Sequence, residues 1–204
     1  MIARAIGLAA LSLLVGWLSG CGGSPPVHFY QLSAEATAGA AGPATVGTEL
    51  RIAVGPISLP EVVDRPQLVV RSGPNKVTLI DEHRWAESLK GEIPRVLAEN
   101  LSRLLATGQV WAYPQNASGS FDYRVLVDIQ RFESTPGQTV AVDALWSIQQ
   151  SSKGGIVSRT GRSSVQQPVE GKSYDSLVAA HSRALAAVSR DIAEAIRVFS
   201  PPSP

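Results

Sequence analysis

The 204-residue chain has a single cysteine, Cys21. It can therefore hold no intramolecular disulfide framework and no zinc site built on thiolates. Its three histidines, His28, His83 and His181, are scattered along the sequence, which speaks against a His-built metal centre, and no cofactor signature is present. Charge is scarce, at 17% of residues, with 18 Lys and Arg against 17 Asp and Glu. No basic surplus is left to neutralise nucleic-acid phosphates. No apolar run reaches the about 20 residues that a permanent membrane-spanning helix requires.

Catalytic signatures are incomplete as well. A serine nucleophile on a strained G-x-S-x-G elbow is missing. Gly171-Lys172-Ser173 has the end of a phosphate loop, but position 166, where the upstream glycine belongs, is Gln. Ser173 reads better as the N-cap of a helix. Asp81-Glu82-His83 could be drawn as an acid/base or metal cluster. Adjacent residues at a strand end point to different sides, however, and no second histidine supports them, so a solvated loop before a helix is the simpler reading. Trp85, Trp111 and Trp146 could line a ligand groove, although packing is the commoner use of tryptophan. The expectation is a protein that is not an enzyme and takes no cofactor.

What is present begins at the N-terminus. Arg4 supplies a positive start and Ile6 to Leu18 is almost wholly apolar, the pattern of a secretory signal peptide. Leu18-Ser19-Gly20-Cys21 then resembles the lipobox of bacterial lipoproteins, in which the cysteine becomes the first mature residue and carries acyl chains on its thiol and amine. The alternative is an ordinary signal peptide with an incidental cysteine; a lone thiol in an exported protein would then be a liability. Three acyl chains, at ~0.8 kcal/mol per buried CH₂, hold firmly to a membrane. Gly22 follows the cysteine, where an Asp would favour inner-membrane retention in enterobacteria, so the periplasmic face of the outer membrane is expected.

Residues 1–20 are thus assigned to the signal peptide, 21–48 to a lipidated N-terminus and flexible tether, and 49–200 to one domain. Gly22 to Val27 is uncharged Gly, Ser, Pro and Val, and Ser33 to Thr48 carries only Glu35 as a charge. Such a composition predicts mobility. Gly22 to Thr48 would reach at most about 90 Å extended and average ~30 Å as a coil. Between these stretches Phe29-Tyr30 either docks as an edge strand or rides in the tether; docking is favoured, since two adjacent aromatics in a solvated linker are costly.

From Glu49 the pattern is globular. Leu50 to Val54 reads as a strand, Leu59-Pro60 and Arg65-Pro66 frame an extended excursion, and Ser72-Gly73-Pro74-Asn75 turns a hairpin. Trp85, Leu89, Ile93, Val96, Leu97, Leu101, Leu104 and Leu105 share one helical face, with a kink or break expected at Pro94 and an end at Thr107-Gly108. Gln109 to Tyr113 is a short strand. Phe121 to Phe132 reads as a strand, with Phe121, Tyr123, Val125, Val127 and Ile129 alternating with Asp122, Arg124, Asp128 and Gln130, and Val140, Val142, Trp146 and Ile148 share one face of a second strand. Ile156 to Gln166 completes a meander. The final helix carries Tyr174, Leu177, Val178, Ala184, Leu185, Val188, Ile192, Ile196 and Phe199 on its apolar stripe, with His181 beside it as a satisfied interface residue. The two amphipathic helices must bury their stripes on a sheet, giving a single α/β domain with a mixed sheet.

Phe29-Tyr30-Gln31-Leu32 after a lipobox, the segment Leu59-Pro60-Glu61-Val62-Val63-Asp64-Arg65-Pro66-Gln67-Leu68-Val69, Trp85-Ala86-Glu87, Leu97-Ala98-Glu99-Asn100-Leu101 and Tyr123-Arg124-Val125 together resemble the PqiC/YmbA-type lipoproteins, auxiliary components of ABC-type transport systems. The likeness runs from about His28 to Phe199; Ser88 stands where many members carry Pro. It implies a three-layer α/β/α domain resembling the N-terminal domain of TolB. It also implies an outer-membrane lipoprotein partnering an MCE-domain protein and its inner-membrane components in lipid traffic between membranes. Because MCE proteins form rings, a homo-oligomer is compatible with it. Leu59, Pro60, Asp64, Arg65, Pro66 and Gln67 are the expected contact surface, with the prolines ordering the segment at low entropic cost and Asp64 and Arg65 as charged handles. Asp64 and Arg65 could equally pair within the fold. The alternative reading is a carrier that binds lipid in an apolar groove between helix and sheet; an envelope hydrolase is the least favoured.

Overall fold

The computed structural model describes residues 25–36, 50–113, 120–152 and 155–199; the signal segment, Cys21 and the expected tether residues 37–48 lie outside these. Strict alternation makes the centre of the fold. In β6 (Tyr123–Thr135), Tyr123, Val125, Val127 and Ile129 are buried while Asp128 and Gln130 are exposed. One face is therefore apolar enough to pack and the other is not. This strand pairs antiparallel with β7 (Thr139–Ser152), which pairs in turn with β8 (Gly155–Pro168). The tight turn into β7 closes through Gln138 N–H donating to the Thr135 carbonyl at 3.1 Å. Gly137 sits there at φ +67°, where a side chain would be strained.

On the other side of β6, β2 (Ile52–Ser58) and then β5 (Val110–Ala112) join in parallel, completing a five-stranded sheet of order β5-β2-β6-β7-β8. The expected hairpin forms as β3 (Gln67–Gly73) and β4 (Lys76–Trp85), but in a second, three-stranded sheet. Its third member is β1 (His28–Tyr30), parallel to β4. Phe29-Tyr30 thus docks as an edge strand.

The helices are α1 (Leu89–Leu105) and α2 (Tyr174–Phe199). Ser173 caps α2 as expected, its Oγ accepting the Ser176 N–H at 3.1 Å. Pro94 lies inside an unbroken α1. Its missing bond falls on the carbonyl of exposed Lys90, while the stripe from Leu89 to Leu105 is buried on both sides of it. The helix ends at Ala106, in the left-handed region at φ 53°, one residue before the expected stop.

The fold class is the expected one, a single α/β domain with mixed sheets and two helices. Its layering differs from the three-layer expectation. Helix α1 packs on β2 and β5, α2 packs on β7 and β8, and the helices touch each other, so both lie on one face of the large sheet. The physical reason is that the opposite face is mixed: Asp128, Gln130, Thr160 and Arg162 are exposed on it among Leu126 and Leu145, so it lacks the continuous apolar surface on which a helix stripe could be buried without burying charge.

The expected tether also ends earlier than the sequence suggests. Leu32 and Ala36 are 2% and 1% exposed, so residues through Ala36 belong to the domain rather than to a mobile 21–48 segment. Three polar side chains hold them. Glu92 Oε1 accepts the Leu32 N–H at 2.7 Å, Ser182 Oγ the Ser33 N–H at 3.0 Å and Asn100 Oδ1 the Ala36 N–H at 2.9 Å. Glu92 and Asn100 belong to α1 and Ser182 to α2, so the segment runs across both helices.

Candidate functional site

The excursion between β2 and β3 is a tight turn rather than an extended run. The Pro60 carbonyl accepts the N–H groups of Val63 and Asp64 at 3.0 and 3.3 Å, and Arg65 N–H donates to Val63 at 2.9 Å. Val63 is buried and Leu59 packs against the core, which anchors the base of the turn. Its far end is tied where Trp85 N–H donates to the Pro66 carbonyl at 2.7 Å.

These ties separate the six expected contact residues. Leu59 and Pro60 are partly buried supports. Asp64 is engaged locally, its Oδ2 2.5 Å from Lys90 Nζ on α1. Gln67 donates to Asp81 Oδ1 at a long 3.4 Å. Arg65 and Pro66 are exposed; the Arg65 guanidinium makes a marginal contact with the Glu61 carbonyl at 3.5 Å. Asp64 is therefore paired within the fold, and Arg65 faces outward. Asp64, Arg65 and Pro66 share a shallow hollow of about 290 Å³ with Trp85, Ala86, Glu87 and Ser88, so the turn and the β4–α1 junction form one continuous surface.

Asp81, Glu82 and His83 lie within β4, not in a loop. His83 stacks on His28 at 5.1 Å and lies 4.0 Å from the ring of Tyr174, while the Tyr30 hydroxyl and His83 Nδ1 share a 2.7 Å hydrogen bond. Burial, then the neighbouring His28, holds the His83 pKa below the usual imidazole range. Among the described residues no group of three or more His, Cys, Asp or Glu is placed to hold a metal ion.

The three tryptophans occupy separate places. Trp85 is buried against Phe132 and His181. Trp146 is buried and donates to Ser163 Oγ at 3.1 Å, which itself donates to Asp191 Oδ2 at 2.6 Å. Trp111 meets Phe121 edge-on. His181 sits at the interface as expected but is only half satisfied: it is fully buried, stacked on Phe132 at 4.0 Å and paired through Nε2 with Ser134 Oγ at 2.7 Å, while its Nδ1 has no hydrogen-bond partner among the described residues.

The helix–sheet interface is filled by Ile52, Val125, Ile148, Leu101, Leu185 and Ile192, all fully buried. A hollow of about 710 Å³ lies instead over the opposite, helix-free face, lined by Pro56, Ile57, Leu126 and Leu145 with Asp128 and Arg162.

Sequence reasoning missed the clamp made by Glu92, Asn100 and Ser182. A signal was present: Glu92 and Asn100 stand four residues either side of buried Val96, so both fall on the inward stripe of α1, where a polar side chain implies a partner.

Fold and surface together define a small α/β domain that presents a braced turn beside a clamped N-terminal segment. The family model described as "ABC-type transport auxiliary lipoprotein component" matches residues 30–193, and the chain belongs to that family. Protein XCC0632 of Xanthomonas campestris, of family DUF330, superposes with a TM-score of 0.63 at 19% identity, over 84% of this chain and 95% of that one. A crystal structure of an uncharacterized protein matches equally, with a TM-score of 0.63 at 18% identity over 84% and 99%. These likenesses establish the fold. None of the curated proteins matches this chain. Among the described residues no helix is long and apolar enough to cross a membrane.

Proposed function

We propose that this lipoprotein is a non-enzymatic docking component: Cys21 carries the acyl anchor at the periplasmic face of the outer membrane, and the domain engages an MCE-domain partner of an ABC-type lipid transport system. The observation that carries the reading is the braced turn at 60–66. Its backbone is fixed by internal hydrogen bonds and by the Trp85–Pro66 tie, and it presents Arg65 with no ion pair among the described residues. A preordered turn binds without a further ordering cost, and an acyl tether raises its local concentration near a membrane-bound partner.

The test is co-purification of the detergent-extracted lipoprotein with an MCE-domain partner. Arg65→Glu is expected to weaken capture while leaving the circular dichroism spectrum and melting temperature unchanged. Lys90→Ala, which releases Asp64 but leaves Arg65 in place, serves as the neighbouring control. Capture unaltered by Arg65→Glu would remove this surface from the interface.

A carrier role is supported by a different observation, the apolar hollow beside Leu126 and Leu145, whose volume is in the range of small-molecule sites. Mass spectrometry of the purified protein, with lipid bound in the native chain and lost in Leu145→Asp, would favour it; no co-purified lipid would count against it.

A further inference from the structure

The clamp changes where the domain can sit relative to its anchor. With Leu32, Ser33 and Ala36 held by Glu92, Ser182 and Asn100, six residues, 22–27, separate Cys21 from β1. At 3.3–3.6 Å per residue that stretch spans at most roughly 25 Å. The end of the domain that carries β1 is therefore kept beside whatever surface holds residue 21.

That end has the right chemistry for a lipid surface. Alternation along β1 turns His28 and Tyr30 toward His83 and leaves Phe29 65% exposed, with Val27 exposed just before it. Strand register places Phe29 beside Arg84 of β4. An exposed aromatic with an adjacent guanidinium matches the boundary between acyl chains and phosphates, where interfacial segments bury their apolar side about 5–10 Å deep.

The geometry points to a membrane-facing end: Phe29 and Val27 enter the phospholipid interface, and Arg84 lies level with the phosphates. The inference rests on the reading that Cys21 is acylated. It also fixes orientation. Helix α2 begins at Tyr174, which touches His83, and its 26 residues carry Val198 about 36 Å away at 1.5 Å per residue. The far end of the domain thus points away from the bilayer.

The experiment uses the full acylated protein in phosphatidylethanolamine–phosphatidylglycerol vesicles. In that protein the Cys21 thiol is consumed by the thioether, so Phe29→Cys or Val198→Cys supplies the one site for an environment-sensitive fluorophore. Both positions are exposed, so neither substitution disturbs the core. A probe at 29 is expected to shift to the blue and to be quenched by lipids spin-labelled near the headgroup, whereas a probe at 198 is not. Equal, weak quenching at both positions in a protein whose acylation is confirmed by intact mass overturns the orientation alone. A mass lacking acyl chains overturns the anchoring reading, and this inference with it.

Discussion

Replacing Glu92 by glutamine asks whether a buried carboxyl ties the N-terminal segment down. Glu92 is fully enclosed; Arg95 approaches its Oε1 at 3.5 Å, and its Oε2 has no hydrogen-bond partner among the described residues. Burial lifts its pKa from 4.5 to about 7 despite the Leu32 N–H and Arg95, with Glu87 adding to the rise. Between those values the folded chain holds a proton that the unfolded chain has lost. Stability therefore falls as pH rises through that window and levels off above it. Two and a half units at 1.36 kcal/mol each amount to about 3 kcal/mol. His181 acts in the opposite sense: burial lowers its pKa from 6.5 to about 3, so its contribution grows as pH rises from 3 to 6.5. Where the windows overlap the two slopes oppose each other and the native protein hides both. Urea unfolding of native and Glu92→Gln proteins removes the ambiguity, because His181 and every other shared group cancel in the difference. The variant is expected to gain about 3 kcal/mol relative to the native protein between pH 4.5 and 7, and nothing further above pH 7. Parallel pH curves for the two proteins would refute the buried-carboxyl argument.

Two further substitutions test the packing around the same framework. A Cβ on Gly161 would stand 2.2 Å from Cζ2 and Cη2 of Trp146, so Gly161→Ala must displace the indole and break its bond to Ser163. A loss of about 1–3 kcal/mol and a changed near-ultraviolet circular dichroism spectrum are expected; an unaltered melting temperature would contradict the contact. Asn100→Ala leaves the Ala36 N–H buried without its acceptor, costing about 1–3 kcal/mol. Amide exchange at Ala36 should accelerate while that at Val125, in the middle of the large sheet, follows only the global change; exchange at Ala36 as slow as in the native protein would show that the clamp is not made by this side chain.

How far the sequence could be read depended on whether the relevant interaction was periodic. The alternation from Tyr123 to Ile129 and the stripe from Leu177 to Ile196 declare a buried face locally, and both are found buried. The division into two sheets was not legible, because the pairing of β1 with β4 joins His28 to His83 through hydrogen bonds of the backbone, which leave no mark on side-chain pattern. The turn at 60–66 was half legible. Prolines announced it, but Lys90, which takes Asp64, lies on another element and could not be named from the segment itself. Cys21 lies outside the described residues, so its acylation stands on the Leu-Ser-Gly-Cys motif and the family. The clamp was the costliest omission, because it moves a functional boundary. Ser33 to Ala36 has the composition of a linker, and composition weighs only what a segment buries by its own apolar surface. Here the ordering comes from acceptors that α1 and α2 supply to three backbone N–H groups, with Leu32 seated between them. On the reading that Cys21 is acylated, a tether that could have reached about 90 Å would be shortened to the few residues before β1, and the domain would have a defined side toward its anchor.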